Sequence, residues 1–380
     1  MSNRRLLLAL AAAAIFLFGI VMALLGAILL PLSQRLQIGS ARAGDLFLSM
    51  NFGIFLALAA SGAALDRWGI RPVLIACSLL LGGGLWGLAS ATSIAQVAAS
   101  AFAIGLAGGG LNTGANTLVS DAYAEDRGQA LNLLGMFFGF GAVLLPFAVG
   151  IVTAAWTLFL YVAGVLAVVC AVACTLIPFP PAHEAHSFSI REAASVLKNP
   201  LVLLFAAILF CQSGNEFTMG GWISSYLSRE VGASAQAATL ALAGYWVAMM
   251  LGRLVSAGLL RRIRDAHLVT ACGAMAAGAT GLLLIAPSFV VGAVAAFLVG
   301  LSYSAIYPTT LAMVGDRFPR FAGTVFGVLF SLALIGGMLF PWAAGHLAES
   351  LGLRAGLALP LLGAAMIAVL ELYFVRQPRT

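Results

Sequence analysis

The sequence predicts an all-α membrane protein, with twelve transmembrane helices in two six-helix bundles. Three observations carry that prediction. The first is composition: 62% of the 380 residues are hydrophobic and 8% are charged, against about 25% charged in soluble domains. A water-facing surface cannot be built from such a chain, so its solvent is lipid. The second is that the apolar residues fall into twelve runs, each near the roughly 20 residues that cross a bilayer. The third is an internal repeat. Residues 105–150 align without a gap onto 300–345 at an offset of 195, with 11 of 46 positions identical. Matches of Leu and Ala are cheap in an apolar chain. Asp121/Asp316, Pro146/Pro341 and the glycine pairs 105/300, 128/323, 141/336 and 150/345 are not, because those residue types have fixed meanings in the backbone or at helix ends. The offset is close to half the chain, which therefore reads as two related halves.

Taken in order, the runs in the first half are roughly 6–30, 43–64, 72–92, 94–120, 128–153 and 155–177. Those in the second half are 200–226, 235–258, 267–286, 289–314, 321–347 and 354–375. The first run follows Arg4 and Arg5 and continues to Leu30, too long for the roughly 7–15 residues of a signal-peptide core. Between the second and third runs the chain reads Gly62-Ala-Ala-Leu-Asp66-Arg67-Trp-Gly69-Ile-Arg71-Pro72. Here a small residue allows close helix approach, the Asp can cap a helix end and pair with a cation, Gly69 makes a tight turn, and Pro72 starts a helix where its missing N–H costs nothing. The fourth run holds Gly105, Gly108, Gly109, Gly110 and Gly114, read as packing and hinge positions. They are no phosphate loop, since no strand precedes them and no Lys–Ser/Thr pair follows. The longest polar gap, Phe179 to Asn199, separates the sixth run from the seventh. It divides the chain into an N-terminal bundle (1–178), an inter-bundle loop (179–199) and a C-terminal bundle (200–380). An amphipathic segment around Ser189–Lys198 is expected on the membrane surface.

Orientation follows from the basic residues. With the N-terminus in the cytoplasm, 14 of the 19 fall on the inner side, four (Arg35, Arg42, Arg229, Arg354) on the outer side, and Arg253 lies within helix 8. Both termini are therefore expected in the cytoplasm, and Arg253 is expected to snorkel to the inner surface. The net charge of +6 is spread over short loops and forms no nucleic-acid patch. The five cysteines sit in apolar runs without zinc spacing, as small hydrophobes do. No HExxH motif, paired intramembrane Asp or deep Ser–His pair points to a membrane enzyme. No metal or cofactor is expected.

The Gly62–Pro72 loop resembles the signature loop of the major facilitator superfamily in spacing and residue type. Twelve helices, the 6+6 repeat and the long middle loop fit the same family. The second-half counterpart, Gly258-Leu-Leu-Arg261-Arg262, lacks the Asp. The resemblance implies a secondary transporter working by alternating access, with helices 1, 4, 7 and 10 lining a central cavity. It implies that Asp66, Arg67 and Arg71 act at the cytoplasmic gate. The chain is expected to be a monomer in a bacterial inner membrane. A narrower resemblance joins the chain to the fucose/galactose/glucose:proton symporter branch. Ala130-Leu-Asn132-Leu-Leu-Gly-Met-Phe137-Phe138-Gly139-Phe-Gly141 with Pro146, then Asn215-Glu216, Gly221-Trp222 and Tyr226-Leu227, then Gly252-Arg253-Leu254 carry it. Helix 1 has no mid-membrane carboxylate, and helix 4 carries asparagines where the fucose permease has a glutamate. Coupling in this chain would then fall to another residue.

Glu216 is the one carboxylate that the sequence places deep in a span. A charge at mid-bilayer costs about 2.5–3.5 kcal/mol on insertion scales, so such a residue faces water or a partner. It reads as the coupling residue, for H⁺ or Na⁺, or as a neutral structural group bonded to a neighbouring helix. Gln212, Asn215 and Glu216 share one face of helix 7, Asn112 and Asn116 one face of helix 4, and Tyr303 and Tyr307 one face of helix 10. Amides and aromatic rings suit a polyhydroxylated ligand, so these residues, with Trp222, Asn132, Phe137 and Asn51, are the candidate substrate contacts. The bland alternative is that each amide ties two helices together. The reading that follows is cation-coupled symport of a sugar or similar neutral polar solute. The rival is a proton-coupled efflux antiporter for apolar or amphipathic compounds, and a solute sensor that moves nothing stays open.

Overall fold

Short polar breaks between long apolar runs dictate helices that double back on one another. The computed structural model describes residues 3–123, 125–179, 198–260, 262–318 and 322–376. Among these there are twelve α-helices and no strand: α1 (Asn3–Leu36), α2 (Ser40–Trp68), α3 (Ile70–Ser90), α4 (Ile94–Ala122), α5 (Arg127–Ile151), α6 (Trp156–Leu176), α7 (Pro200–Arg229), α8 (Ala235–Leu259), α9 (Asp265–Leu284), α10 (Phe289–Arg317), α11 (Ala322–Leu351) and α12 (Leu353–Arg376). All twelve runs became helices, and each helix contains a span long and apolar enough to cross a membrane. The protein is an integral membrane protein. Most of the expected inter-bundle loop, with its amphipathic segment, and both chain ends lie outside the described residues.

Local chemistry sets the helix ends. Ser93 and Gln96 form a capping box at the start of α4. Asn199 caps α7, with Pro200 in the first turn, and Ser234 caps α8. Gly69 has φ 78° and donates to the Leu65 carbonyl at 2.8 Å, the tight turn expected between α2 and α3. The helices outrun the apolar runs. The first run stopped at Leu30 because Pro31 follows, yet α1 continues to Leu36. Proline also lies inside α5, α10, α11 and α12. In a bilayer a helix is held by the need to satisfy every backbone group, and neighbours compensate for a proline's lost bond.

The chain forms two compact units, Met1–His186 and Ser187–Thr380, and each has the same internal packing. In the first, α1 packs on α5, α2 on α4, and α3 on both α4 and α6; in the second, α7 packs on α11, α8 on α10, and α9 on both α10 and α12. The crossings match as well, with α7 one residue out of step with α1. A Cβ added at Gly105 would overlap the carbonyl oxygen of Met50, and one at Gly300 that of Tyr245. Both positions of that pair are separated by the same 195 residues. Gly141 lies against the Phe16 carbonyl as Gly336 lies against that of Phe210. The repeat thus reaches well beyond the 46 aligned residues, into the helices that pack against them. Glycine at these crossings lets two backbones touch, which in lipid replaces the missing hydrophobic drive for association.

Candidate functional site

The polar side chains of the second unit gather where α7, α8 and α10 meet. Helical spacing puts Gln212 and Glu216 on one stripe of α7. The Gln212 amide donates to the Tyr303 backbone carbonyl of α10 at 3.3 Å. Its own oxygen has no hydrogen-bond partner among the described residues, although the side chain is completely buried. The Tyr303 ring is buried too, and its hydroxyl lies beside that of Thr280 of α9, with no well-aligned hydrogen bond satisfying either. Tyr245 of α8 donates to the Glu216 backbone carbonyl at 3.5 Å. The Glu216 carboxyl interacts electrostatically with Tyr245, Tyr303, Tyr307 and the Arg253 guanidinium.

The cluster has a closed side and an open side. Gln212, Tyr245 and Tyr303 are buried, whereas Glu216 and Tyr307 are half-exposed. The Tyr307 ring lies parallel to Phe330 of α11, with centroids 6.4 Å apart and planes within 4°. Phe330 in turn stacks on Phe326 at 6.1 Å. An ionisable carboxyl, an unsatisfied amide oxygen and a ladder of rings therefore share one patch. The carboxyl can carry a proton or, with nearby oxygens, hold a hard cation. The rings offer flat apolar faces.

Other candidates lie elsewhere. Asn215, one residue before Glu216, turns to α12: its amide donates to the Cys211 carbonyl at 3.2 Å and accepts from the Ala364 N–H at 3.1 Å. The Trp222 indole is buried and donates to the Pro341 carbonyl of α11 at 3.2 Å. The Asn215–Ala364 and Trp222–Pro341 bonds tie helices together. In the first unit, Asn116 donates to the Asn112 backbone carbonyl at 2.8 Å and to its side-chain oxygen at 3.0 Å, and both residues are half-buried. Asn51 is buried in α2, donating to the Phe47 carbonyl at 2.9 Å, with its side-chain oxygen unsatisfied. On α5, Asn132 is exposed and Phe137 packs edge-on against Phe140.

At the α2–α3 turn, Asp66 and Arg67 are exposed, and Arg67 lies over the Trp68 ring. Arg71 donates to the carbonyls of Cys174 and Thr175. It thus caps the last turn of α6 within its own unit, where a cationic side chain meets unsatisfied carbonyls and the negative helix end. Arg35 treats α3 in the same way, donating to the Ala89 and Leu88 carbonyls at 2.9 and 3.3 Å.

Sequence reasoning missed three residues. Tyr245 and Arg253 are neighbours of the Glu216 carboxyl; the repeat was the available signal for Tyr245, which stands 195 positions after Met50 at the glycine crossing. The third is a correction: Glu216 is not the only carboxylate within a span. Glu371 of α12 is 0% exposed. It was passed over because it lies five residues before Arg376, at the end of its run, where acids usually reach water.

Comparison with known proteins gives the family. The model of the Major Facilitator Superfamily matches residues 11–228 and again 205–380. The uncharacterised transporter YfkL of Bacillus subtilis is 22% identical over 348 residues, covering 89% of this chain and 88% of its own. A glucose/galactose transporter of Brucella abortus is 27% identical over 296 residues, covering 75% of this chain and 69% of its own. Among solved structures, a D-xylose-proton symporter superposes with a TM-score of 0.81 at 14% identity, covering 99% of this chain and 98% of that one. The fucose:proton symporter of E. coli superposes with a TM-score of 0.66 at 19% identity, covering 98% of each chain. At such identities the structural likeness speaks for the fold.

Proposed function

This chain belongs to the Major Facilitator Superfamily, and from that premise we propose that it carries a sugar or a similar neutral polar solute by cation-coupled symport with alternating access. The observation that carries the reading is the half-open cluster of Glu216, Gln212 and Tyr307. Glu216 exchanges the coupling ion, H⁺ or Na⁺. The buried Gln212 oxygen accepts from an ordered water that bridges to a solute hydroxyl. The Tyr307 ring lies along the apolar C–H face of a sugar. Asn112 and Asn116 are the first unit's own candidate solute contacts. The similarity to the Brucella glucose/galactose transporter supports a sugar, and the nearby Arg253 is balanced by Glu216, which leaves little fixed charge for an ionic solute. The basic-residue bias and bacterial relatives support an inner-membrane protein with both termini in the cytoplasm. Asp66 and Arg67, exposed at the α2–α3 turn, act at the gate.

The Tyr307–Phe330–Phe326 stack favours a second reading, proton-coupled efflux of aromatic or amphipathic compounds. Counterflow in proteoliposomes with a panel of labelled sugars, with and without a sodium gradient, separates the two. Sugar uptake by exchange supports symport. No exchange of any sugar, together with quenching by apolar fluorescent dyes that requires a proton gradient, refutes it.

A further inference from the structure

Glu371 is a buried acid that the reading above does not use. Its surroundings follow from helix register. Six helices joined by short loops alternate in direction, so α12 runs antiparallel to α7, α9 and α11. Phe374 meets Phe205 of α7 with ring centroids 5.4 Å apart, and Ala364 meets Asn215 of α7. These two contacts put Ile208 level with Glu371. Gly273 of α9 packs on the backbone of Ala364 and Ala368, which puts Leu268 and Val269 at the same level. Gly356 packs on Ala344 of α11, which brings Leu329 there. Ile208, Leu268, Val269 and Leu329 are all buried. Neither oxygen of the Glu371 carboxyl has a hydrogen-bond partner among the described residues.

Among the described residues, the ionisable groups level with the site are the Cys211 thiol of α7 and the Cys272 thiol of α9, both buried. At and just before the start of α9, Asp265 is half-exposed, and Arg262, Arg264 and His267 are exposed. From the end of α10, the Arg317 guanidinium lies over the Phe374 ring, 5.9 Å from its centroid and one turn beyond Glu371.

A carboxylate sealed among apolar side chains, with no donor on either oxygen, is an uncompensated buried charge. Closed packing of α7, α9 and α12 therefore requires the neutral acid. We infer that Glu371 is a second proton-binding site: it holds a proton while the α7–α9–α12 seam is closed and releases it when the seam opens. On release the carboxyl O–H bond breaks, the proton passes to water entering from the nearby helix end, and the carboxylate gains Arg317 as a counter-charge. The basic-residue bias makes that end cytoplasmic. This site is separate from Glu216 and does not depend on that residue's role.

Infrared spectroscopy of the full chain in nanodiscs tests the inference. A carbonyl-stretch band of a protonated carboxyl should be present at neutral pH. Glu371→Gln should remove it, and Glu216→Gln should leave it. Alkaline pH should abolish it in the wild type. Solute exchange in proteoliposomes should slow as internal pH rises, because each pH unit above the apparent pKa cuts the proton-bound population about tenfold. Glu371→Gln, permanently neutral, should lose that dependence. Absence of the band at neutral pH overturns the inference. So does a band that no pH removes together with an unaltered pH profile in Glu371→Gln, since the acid is then only a packing element. Titration of the wild-type band decides the matter even where the variant is poorly made.

Discussion

Glu216→Gln removes one ionisable oxygen and changes little else around it. The Tyr245 hydroxyl bonds the Glu216 backbone carbonyl, and Gln212 bonds the Tyr303 backbone carbonyl. Neither bond involves the Glu216 side chain, and glutamine keeps an oxygen for the Gln212 amide that the carboxyl meets, so the local framework should survive. The loss is the charge that an ion can neutralise. Moving one elementary charge through 100 mV releases about 2.3 kcal/mol, and about 1.4 kcal/mol is a factor of ten. One ion per solute therefore supports about 50-fold accumulation at that potential. The assay uses proteoliposomes with an imposed potassium-diffusion potential and the sugar identified by counterflow. The wild type should concentrate the sugar towards that ratio. Glu216→Gln should stop at a ratio of one, yet exchange labelled for unlabelled sugar at a measurable rate. A variant that still concentrates its sugar refutes the assignment and makes Glu216 a structural group.

Gly105→Ala and Gly300→Ala should each destabilise the protein by about 1–3 kcal/mol through overpacking, because the new methyl meets a backbone carbonyl; Gly62→Ala, with nothing within 4 Å, should be neutral in the same detergent melting series. Arg71→Leu should cost about 1 kcal/mol after allowance for solvent exposure, read as a lowered melting temperature, since the Cys174 and Thr175 carbonyls lose their donor. Asp66→Asn should change the transport rate far more than equilibrium solute binding; a binding loss with unchanged conformational exchange would count against a gate role.

The fold was legible because its causes are local and repetitive. Twelve apolar runs needed only counting, and Gly69, Pro72 and Ser93 each act within one turn of the backbone. The site was legible only in part. Helical spacing put Gln212 and Glu216 on one stripe, but the same spacing also recruited Asn215, and the family resemblance added Trp222. Side-chain identity does not say which neighbour a residue meets, and these two meet α12 and α11. Arg71 shows the same limit. The resemblance implied a gate role, and nothing in the sequence signalled that the end of α6, three helices further along the chain, takes both of its hydrogen bonds. Glu371 was missed for the opposite reason: its position near a run's end suggested water, and burial is decided by α7, α9 and α11 together.

The repeat also shows where the units differ: among the described residues, the Glu216 cluster belongs to the second. Gly108 and Tyr303 are 195 positions apart, as are Asn112 and Tyr307; between α1 and α7 the matching contacts, Phe16 at Gly141 and Phe210 at Gly336, are 194 apart, which pairs Phe18 with Gln212 and Met22 with Glu216. In the first unit, a Cβ on Gly108 would meet Val21 and Phe18 of α1, so that crossing is small and apolar. In the second, the same crossing holds the Gln212–Tyr303 hydrogen bond and the Glu216 carboxyl. One architecture thus has two chemistries at equivalent places. The crossings that hold the helices together keep the need for a small residue even when the residue changes sides: Gly109 lies against Ala57, while at the equivalent contact Gly252 lies against Ser304. Packing constrains the pair jointly and leaves each position free to vary. The half-exposed positions are under no such constraint, which lets Asn112 of one unit become Tyr307 of the other. A polar site can therefore diverge between the halves without disturbing the backbone contacts that keep each bundle intact.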